Sequence, residues 1–184
     1  MKRFVVFSIL LLGFSAVAVA QDTPAAEVFG GYSYLRCDTG SDDISCNLNG
    51  WNGSAAFNVN QTFGVVADFG GYYGTVEDVV KMKLHSFMFG PKFAFRSNEK
   101  VTPFVQALFG GIRSKFEIEG EGSFSETDLA MAFGGGLDIN VSDRIAIRPV
   151  QFEYVPVRVS DEVSSDWSHN LRYSAGIVFK LGKR

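Results

Sequence analysis

The sequence predicts an all-β chain: eight antiparallel strands, taken up and down in order and closed into a transmembrane β-barrel. Three observations predict it. The run from Asn170 to Gly182 alternates strictly, with Leu171, Tyr173, Ala175, Ile177, Phe179 and Leu181 on one parity and Arg172, Ser174, Gly176, Val178 and Lys180 on the other, a period of two that belongs to a strand. Earlier segments repeat the pattern with unusually aromatic apolar faces, and a barrel whose greasy face meets lipid while its polar face lines a lumen accommodates both. Beyond the N-terminal segment no stretch approaches the roughly 20 apolar residues that a spanning helix needs, so any membrane crossing uses strands.

Export comes first in the chain. Lys2 and Arg3 precede an apolar run from Phe4 to Ala20 that closes on Ala18-Val19-Ala20, a small-x-small site followed by Gln21 and Asp22. This reads as a secretory signal peptide over residues 1–20, leaving 21–184 as one barrel domain. Without Lys2 and Arg3 the 17 basic residues fall to 15 against 20 acidic ones, a net charge of −5 that makes nucleic acid an unsuitable partner.

The first strand, Glu27 to Arg36, places Val28, Tyr32 and Tyr34 opposite Phe29, Ser33 and Leu35, and its tyrosines suit the boundary between hydrocarbon and water. A polar loop follows whose ends carry Cys37 and Cys46, the chain's two cysteines; in an exported protein such a pair reads as a disulfide, while two thiols with no nearby His make a poor zinc site. The second strand, Gly50 to Asn60, turns Trp51, Ala55, Phe57 and Val59 outward and Asn52, Ser54 and Asn58 inward, where a polar lumen can satisfy their amides. The third, Phe63 to Gly74, makes Asp68 a lumen carboxylate. The fourth, His85 to Arg96, sets Phe87, Phe89, Phe93 and Phe95 outward against Lys92 and Arg96, with a local irregularity expected at Pro91, which cannot donate to a ladder.

The fifth strand, Pro103 to Ile112, is apolar on both faces, and an acidic loop over Arg113 to Thr127 is expected after it. The sixth, Asp128 to Val141, sends Asp128, Asp138 and Asn140 inward. The seventh, Arg144 to Val157, breaks phase: Ile145 and Ile147 share a parity with Gln151 and Glu153. One extra residue in a bulge near Pro149 restores Arg148, Gln151 and Glu153 to the lumen and Val150, Phe152 and Tyr154 to lipid. Short connections at Asn60 to Thr62, Ser97 to Thr102 and Ser142 to Asp143 alternate with longer ones, including Thr75 to Met82 and Pro156 to His169. Short ends of such barrels are periplasmic and long ends extracellular.

Ser174, Gly176, Phe179 and Leu181 fall in a polar-x-Gly-x-x-aromatic-x-hydrophobic spacing that resembles the C-terminal assembly signal of bacterial outer-membrane barrels, although Gly182, Lys183 and Arg184 follow where many members end on an aromatic. The Arg148-Pro-Val-Gln-Phe-Glu-Tyr154 run is also similar to a stretch near the penultimate strand of the OmpA/OmpX-like small eight-stranded barrels. The resemblance implies a bacterial outer-membrane location, insertion by the barrel-assembly machinery, and contact with outer-membrane lipid and lipopolysaccharide.

Eight strands enclose little more than room for side chains, so the lumen is expected to be filled. Asp68, Lys92, Arg96, Asp128, Asp138, Arg148, Gln151, Glu153 and Arg172 are expected to stack there as mutually paired groups; the same residues could instead line a narrow porin-like channel or a ligand site. A lipid-modifying enzyme would draw on His85, Ser165, Asp166, Ser168 and His169 at the outer rim, but their spacing is not diagnostic, and no catalytic, cofactor or metal site is assigned. A soluble lipocalin-like carrier needs the reverse orientation, an apolar cavity under a polar exterior. Acidic outer loops, in which Asp38, Asp42, Asp43, Glu117, Glu119, Glu121, Asp161, Glu162 and Asp166 outnumber Arg113, Lys115 and Arg158, are expected to gather divalent cations that bridge to lipopolysaccharide. The reading is a non-enzymatic outer-membrane barrel in envelope structure or surface interaction.

Overall fold

Alternation of apolar and polar residues on successive positions makes each segment a strand, and eight such strands with no free edge close on themselves. A computed structural model describes residues 23–38, 45–76, 80–118, 122–160 and 165–183. Its strands are β1 (Ala26–Asp38), β2 (Ser45–Asn58), β3 (Phe63–Val76), β4 (Val80–Ala94), β5 (Val101–Ile118), β6 (Gly122–Asn140), β7 (Ile145–Ser160) and β8 (Ser165–Leu181). Each pairs antiparallel with its sequence neighbours, and β8 returns to β1, giving a closed barrel in the order β1 to β8. The expected signal segment lies outside the described residues.

Orientation follows parity. On β2, Phe57 is 70 % exposed and its neighbour Asn58 only 3 %, the inversion of a soluble sheet. Phe69, Phe87, Phe89, Phe109, Phe133, Phe152 and Phe179 continue the exposed aromatic band, while the exposed tyrosines and tryptophans, Tyr32, Trp51, Tyr73, Tyr154, Trp167 and Tyr173, sit toward its loop end. Rings with a polar handle gather where hydrocarbon gives way to water, and plain phenyl rings fill the rest.

The three short turns close by one device. Asn60 Oδ1 accepts from the backbone N–H of Thr62 and Phe63, Asn98 Oδ1 from Lys100 and Val101, and Ser142 Oγ from Arg144 and Ile145. Each side chain replaces a backbone partner that the tight reversal removes.

The expected bulge in β7 is present: the β7–β8 register shifts between Arg148 and Gln151, and the β6–β7 register between Leu137 and Ile139. The local irregularity expected at Pro91 is a gap in the β4–β5 ladder, where Gly90 and Pro91 have no paired residue. The β4–β5 ladder passes from Phe89↔Phe109 to Lys92↔Gln106 without a change of register, and the β3 side stays paired through Pro91.

The loop end differs more from expectation. Arg113 to Thr127 is mostly strand, because β5 runs to Ile118 and β6 starts at Gly122; likewise β3 and β4 close to within residues 77–79, and β7 and β8 extend into the expected last loop. Above the hydrocarbon both faces of a strand meet water, so alternation disappears from the sequence although backbone pairing continues. Cys37 and Cys46 face each other across the β1–β2 ladder and form a disulfide. In the chain-entropy picture a ring of this length contributes about 2.7 kcal/mol.

Candidate functional site

The lumen is the one place where side chains of all eight strands converge, and it is built in layers. Nearest the turns, Glu27 of β1 accepts from Lys92 Nζ of β4 at 2.7 Å and from Arg96 Nη2 at 2.6 Å. Asn58 of β2 joins them, accepting from Arg96 Nη2 at 3.1 Å and donating to the Pro24 carbonyl at 2.8 Å.

The next layer holds Arg148, whose Nε and Nη2 donate to the two carboxylate oxygens of Asp138 at 2.6 and 2.9 Å. Its guanidinium lies between the rings of Phe29 and Phe104, 4.5 and 4.2 Å from their centroids, and Lys92 Nζ stands 4.5 Å from the Phe104 centroid. Bidentate pairing with ring stacking on both faces suits a planar cation in a dry interior.

From there an unbroken chain of bonds crosses the barrel. Arg148 Nη1 donates to Gln151 at 2.8 Å, Gln151 Nε2 to Glu153 at 2.8 Å, and Arg172 Nε to the same Glu153 oxygen at 2.7 Å. Arg172 Nη1 reaches across to Asp68 at 2.9 Å and to the Tyr72 hydroxyl at 3.3 Å; Asn52 Nδ2 donates to the other oxygen of Asp68 at 3.0 Å. Gln106 Nε2 satisfies the second Glu153 oxygen at 2.9 Å. Asp68, Glu153 and Arg172 are all at or below 1 % exposed, so each charge depends on these partners alone.

Toward the loops the lumen changes character. Leu35, Leu48, Leu84, Met88, Leu108 and Val155 pack into one buried apolar cluster that includes the Cys37–Cys46 disulfide. The filled, polar lumen expected is ionic in its turn half, while its loop half is packed with apolar side chains. Asp128, expected in the ionic network, lies in that upper half, half-buried beside Ile112 on the lumen parity of β6. The remaining eight expected residues lie in the layers just described.

To the nine residues expected in the network the structure adds Glu27, Gln106, Asn52 as a partner of Asp68, and the two rings around Arg148; Gln106 and Phe104 lie on the inward parity that alternation along the fifth strand gives them, against outward Val105 and Phe109. Glu27 shares the parity of inward Phe29, and that was the available signal.

At the β1–β8 seam, Ser174 Oγ and Ser33 Oγ are 2.8 Å apart, and Gly176 pairs with Gly31. A Cβ on Gly176 would stand 2.3 Å from the Gly30 carbonyl oxygen, so the closing strands approach too closely there for any side chain. Phe179 and Leu181 face outward.

Of the rim residues weighed as a catalytic set, His85 stands apart from the other four. His85 is on β4 beside Tyr73, with ring centroids 5.9 Å apart, whereas Ser165, Asp166, Ser168 and His169 belong to β8, four strands away around the barrel. His169 Nδ1 instead meets the Tyr154 hydroxyl. Among the described residues no group of His, Cys, Asp and Glu is arranged to hold a metal ion.

Residues 6–180 match a family model described as outer membrane protein beta-barrel domain. The search of curated proteins returned no match. Among solved structures, Neisserial surface protein A is similar with a TM-score of 0.73 at 16 % identity, over 85 % of this chain and 97 % of that one. Ail, the attachment invasion locus protein of Yersinia pestis, aligns with a TM-score of 0.59 at 21 % identity, over 86 % and 99 % of the two chains. OprG, an outer membrane protein of Pseudomonas aeruginosa, aligns with a TM-score of 0.55 at 9 % identity, over 88 % and 97 %.

Proposed function

The chain belongs to the family of outer-membrane protein β-barrel domains, and from that membership we propose that it is a non-enzymatic barrel with a closed lumen, serving envelope structure or surface interaction at its loop end. Its place is the bacterial outer membrane. The observation that carries the closed lumen is the bonded chain Asn52–Asp68–Arg172–Glu153–Gln151–Arg148–Asp138, which spans the barrel under an apolar upper half. Ions entering from the turn side find a polar cavity of about 690 Å³ that ends against Glu27, Arg96 and Asp138. To go farther they would have to part buried ion pairs and then cross a layer of Leu, Met and Val.

Separation of His85 from the β8 residues supports the non-enzymatic reading. Removal of a signal peptide after Ala20, and recognition of Ser174, Gly176, Phe179 and Leu181 by the barrel-assembly machinery, complete the proposed biogenesis. The seam geometry supports the second, since Ser174 and Gly176 lie where β8 must close on β1.

The test is conductance in planar bilayers, wild type beside Glu153→Ala. Removing Glu153 strips Arg172 and both glutamines of a shared acceptor, so the variant is expected to admit water and show small flickering currents while wild type stays silent. Steady conductance from wild type would replace the closed reading with the narrow-channel one.

A further inference from the structure

The turn end of the barrel is not filled to its rim. It keeps a polar cavity of about 690 Å³, which is the size of a small-molecule site (about 300 to 1,000 Å³). Four bases line it, Arg96, Lys100, Lys180 and Lys183, and so do four acids, Glu27, Glu99, Asp138 and Asp143. The balance ends at the floor. Directly beneath, Lys92 Nζ stands 2.7 Å from Glu27 and Arg148 Nε 2.6 Å from Asp138, so six bases face four acids over the depth of the cavity and its floor. The next carboxylate, Glu153, is reached only through Gln151 and is held, with Asp68, by Arg172.

What the walls can still bond has the same sign. Both oxygens of Glu27 are taken by Lys92 and Arg96, and both oxygens of Asp138 by Arg148. Lys180, half-buried on the lumen parity of β8, is directly opposite Glu27 across the β1–β8 seam, yet its Nζ donates instead to the neutral Asn140 Oδ1 at 2.6 Å. An ammonium has three N–H donors, so two of them remain for the cavity. The Lys180 backbone N–H donates to the Arg144 carbonyl at 2.8 Å, which brings the Ser142 turn alongside. There Ser142 Oγ accepts from two backbone N–H groups, and its own proton is left to give.

We propose that this cavity binds a small soluble phosphate monoester, with its phosphate on Lys180 Nζ and the Ser142 hydroxyl. Such a group carries about two negative charges at neutral pH and three acceptor oxygens, matching an excess of two bases and a wall of donors. A concave site backed by a low-dielectric interior concentrates the field of its charges and draws in an oxyanion. The proposal goes beyond envelope structure or surface interaction, and of the readings above it takes only the periplasmic placement of the turns, as the source of the ligand. It does not need a closed lumen: a barrel that conducts in planar bilayers would keep Lys180 and Ser142 where they are, so the two ideas fail separately.

The test uses the full mature protein, isotopically labelled and held in phosphatidylcholine nanodiscs at constant ionic strength, and follows backbone amide shifts on titration with glycerol phosphate. Saturable movement of the Asn140, Ser142 and Lys180 amides is expected, with Glu126 at the loop end unmoved and glycerol alone without effect. Lys180→Gln is expected to raise the half-saturating concentration about tenfold or more, and Lys180→Arg to keep it close to wild type. Heat-modifiable gel migration verifies that each variant is folded; should Lys180→Gln not insert, glycerol phosphate against glycerol on wild type decides alone. Unchanged binding by Lys180→Gln, an equal response to glycerol, or movement at the loop end in place of the turn end would each overturn the site, and a response that never saturates would reduce it to an adventitious ion only. Replacing part of the phosphatidylcholine by phosphatidylglycerol, with no soluble ligand, is expected to leave the three amides in place; their movement would give the site to a lipid headgroup and overturn the soluble ligand.

Discussion

Arg172 shows what a single side chain does in this barrel. It is buried between Asp68 of β3 and Glu153 of β7, and removing it leaves two carboxylates in a dry interior with one cation fewer. Breaking a buried pair from one side costs about 3 to 5 kcal/mol because the abandoned charge keeps its desolvation penalty. Arg172→Leu is therefore expected to lower stability by about that amount, measured by urea unfolding of protein refolded in vesicles; a loss within the range of a surface ion pair would count against the network. That Arg172 points inward was legible from its alternation with Leu171 and Tyr173. Glu153 stands directly opposite it on the neighbouring β7, but the contact with Asp68 was not legible, because β3 and β8 meet only through barrel closure, and no local pattern records which strands end up facing each other. Glu27 illustrates the complementary failure: its parity was readable, but a charge at the first residue of a strand also reads as solvated.

At the scale of elements, β7 was legible because lipid imposes a strict phase. Pro149 and its neighbours could be recognised as a bulge since Ile147 and Gln151 cannot both keep their preferred surroundings on an unbroken strand. Deleting Pro149 restores alternation on both sides, Ile147 and Val150 outward, Arg148 and Gln151 inward, at the loss of one bond from the Tyr173 hydroxyl to the Pro149 carbonyl. The deletion is expected to fold and insert, whereas deleting Val105 from unbulged β5 reverses every later side chain of that strand and is expected to block insertion. Heat-modifiable migration separates these outcomes, and failure of the Pro149 deletion would show that the bulge does more than correct phase. The strand ends were illegible for the same reason that β7 was legible. Above the apolar band a strand has water on both sides and no parity to keep, so the paired ends of β5 and β6 read as a loop.

For the whole molecule the remaining question is which end faces out. The turn end is closed by three tight reversals and carries exposed phenylalanines at the margin of its apolar band, Phe57 and Phe95 among them. The opposite end carries the long β5–β6 hairpin, the disulfide and the exposed tyrosines and tryptophans. A barrel inserted from the periplasm must push one end through the hydrocarbon, and in such barrels the short turns remain on the periplasmic side. Because Cys37 and Cys46 are bonded to each other, single cysteines can report orientation without removing native thiols. Glu126→Cys, exposed near the end of the hairpin, is expected to react with a membrane-impermeant maleimide in intact cells, while Asn98→Cys and Asp143→Cys in the turns react only after the outer membrane is permeabilised. Labelling of the turn cysteines in intact cells with Glu126→Cys protected would invert the barrel.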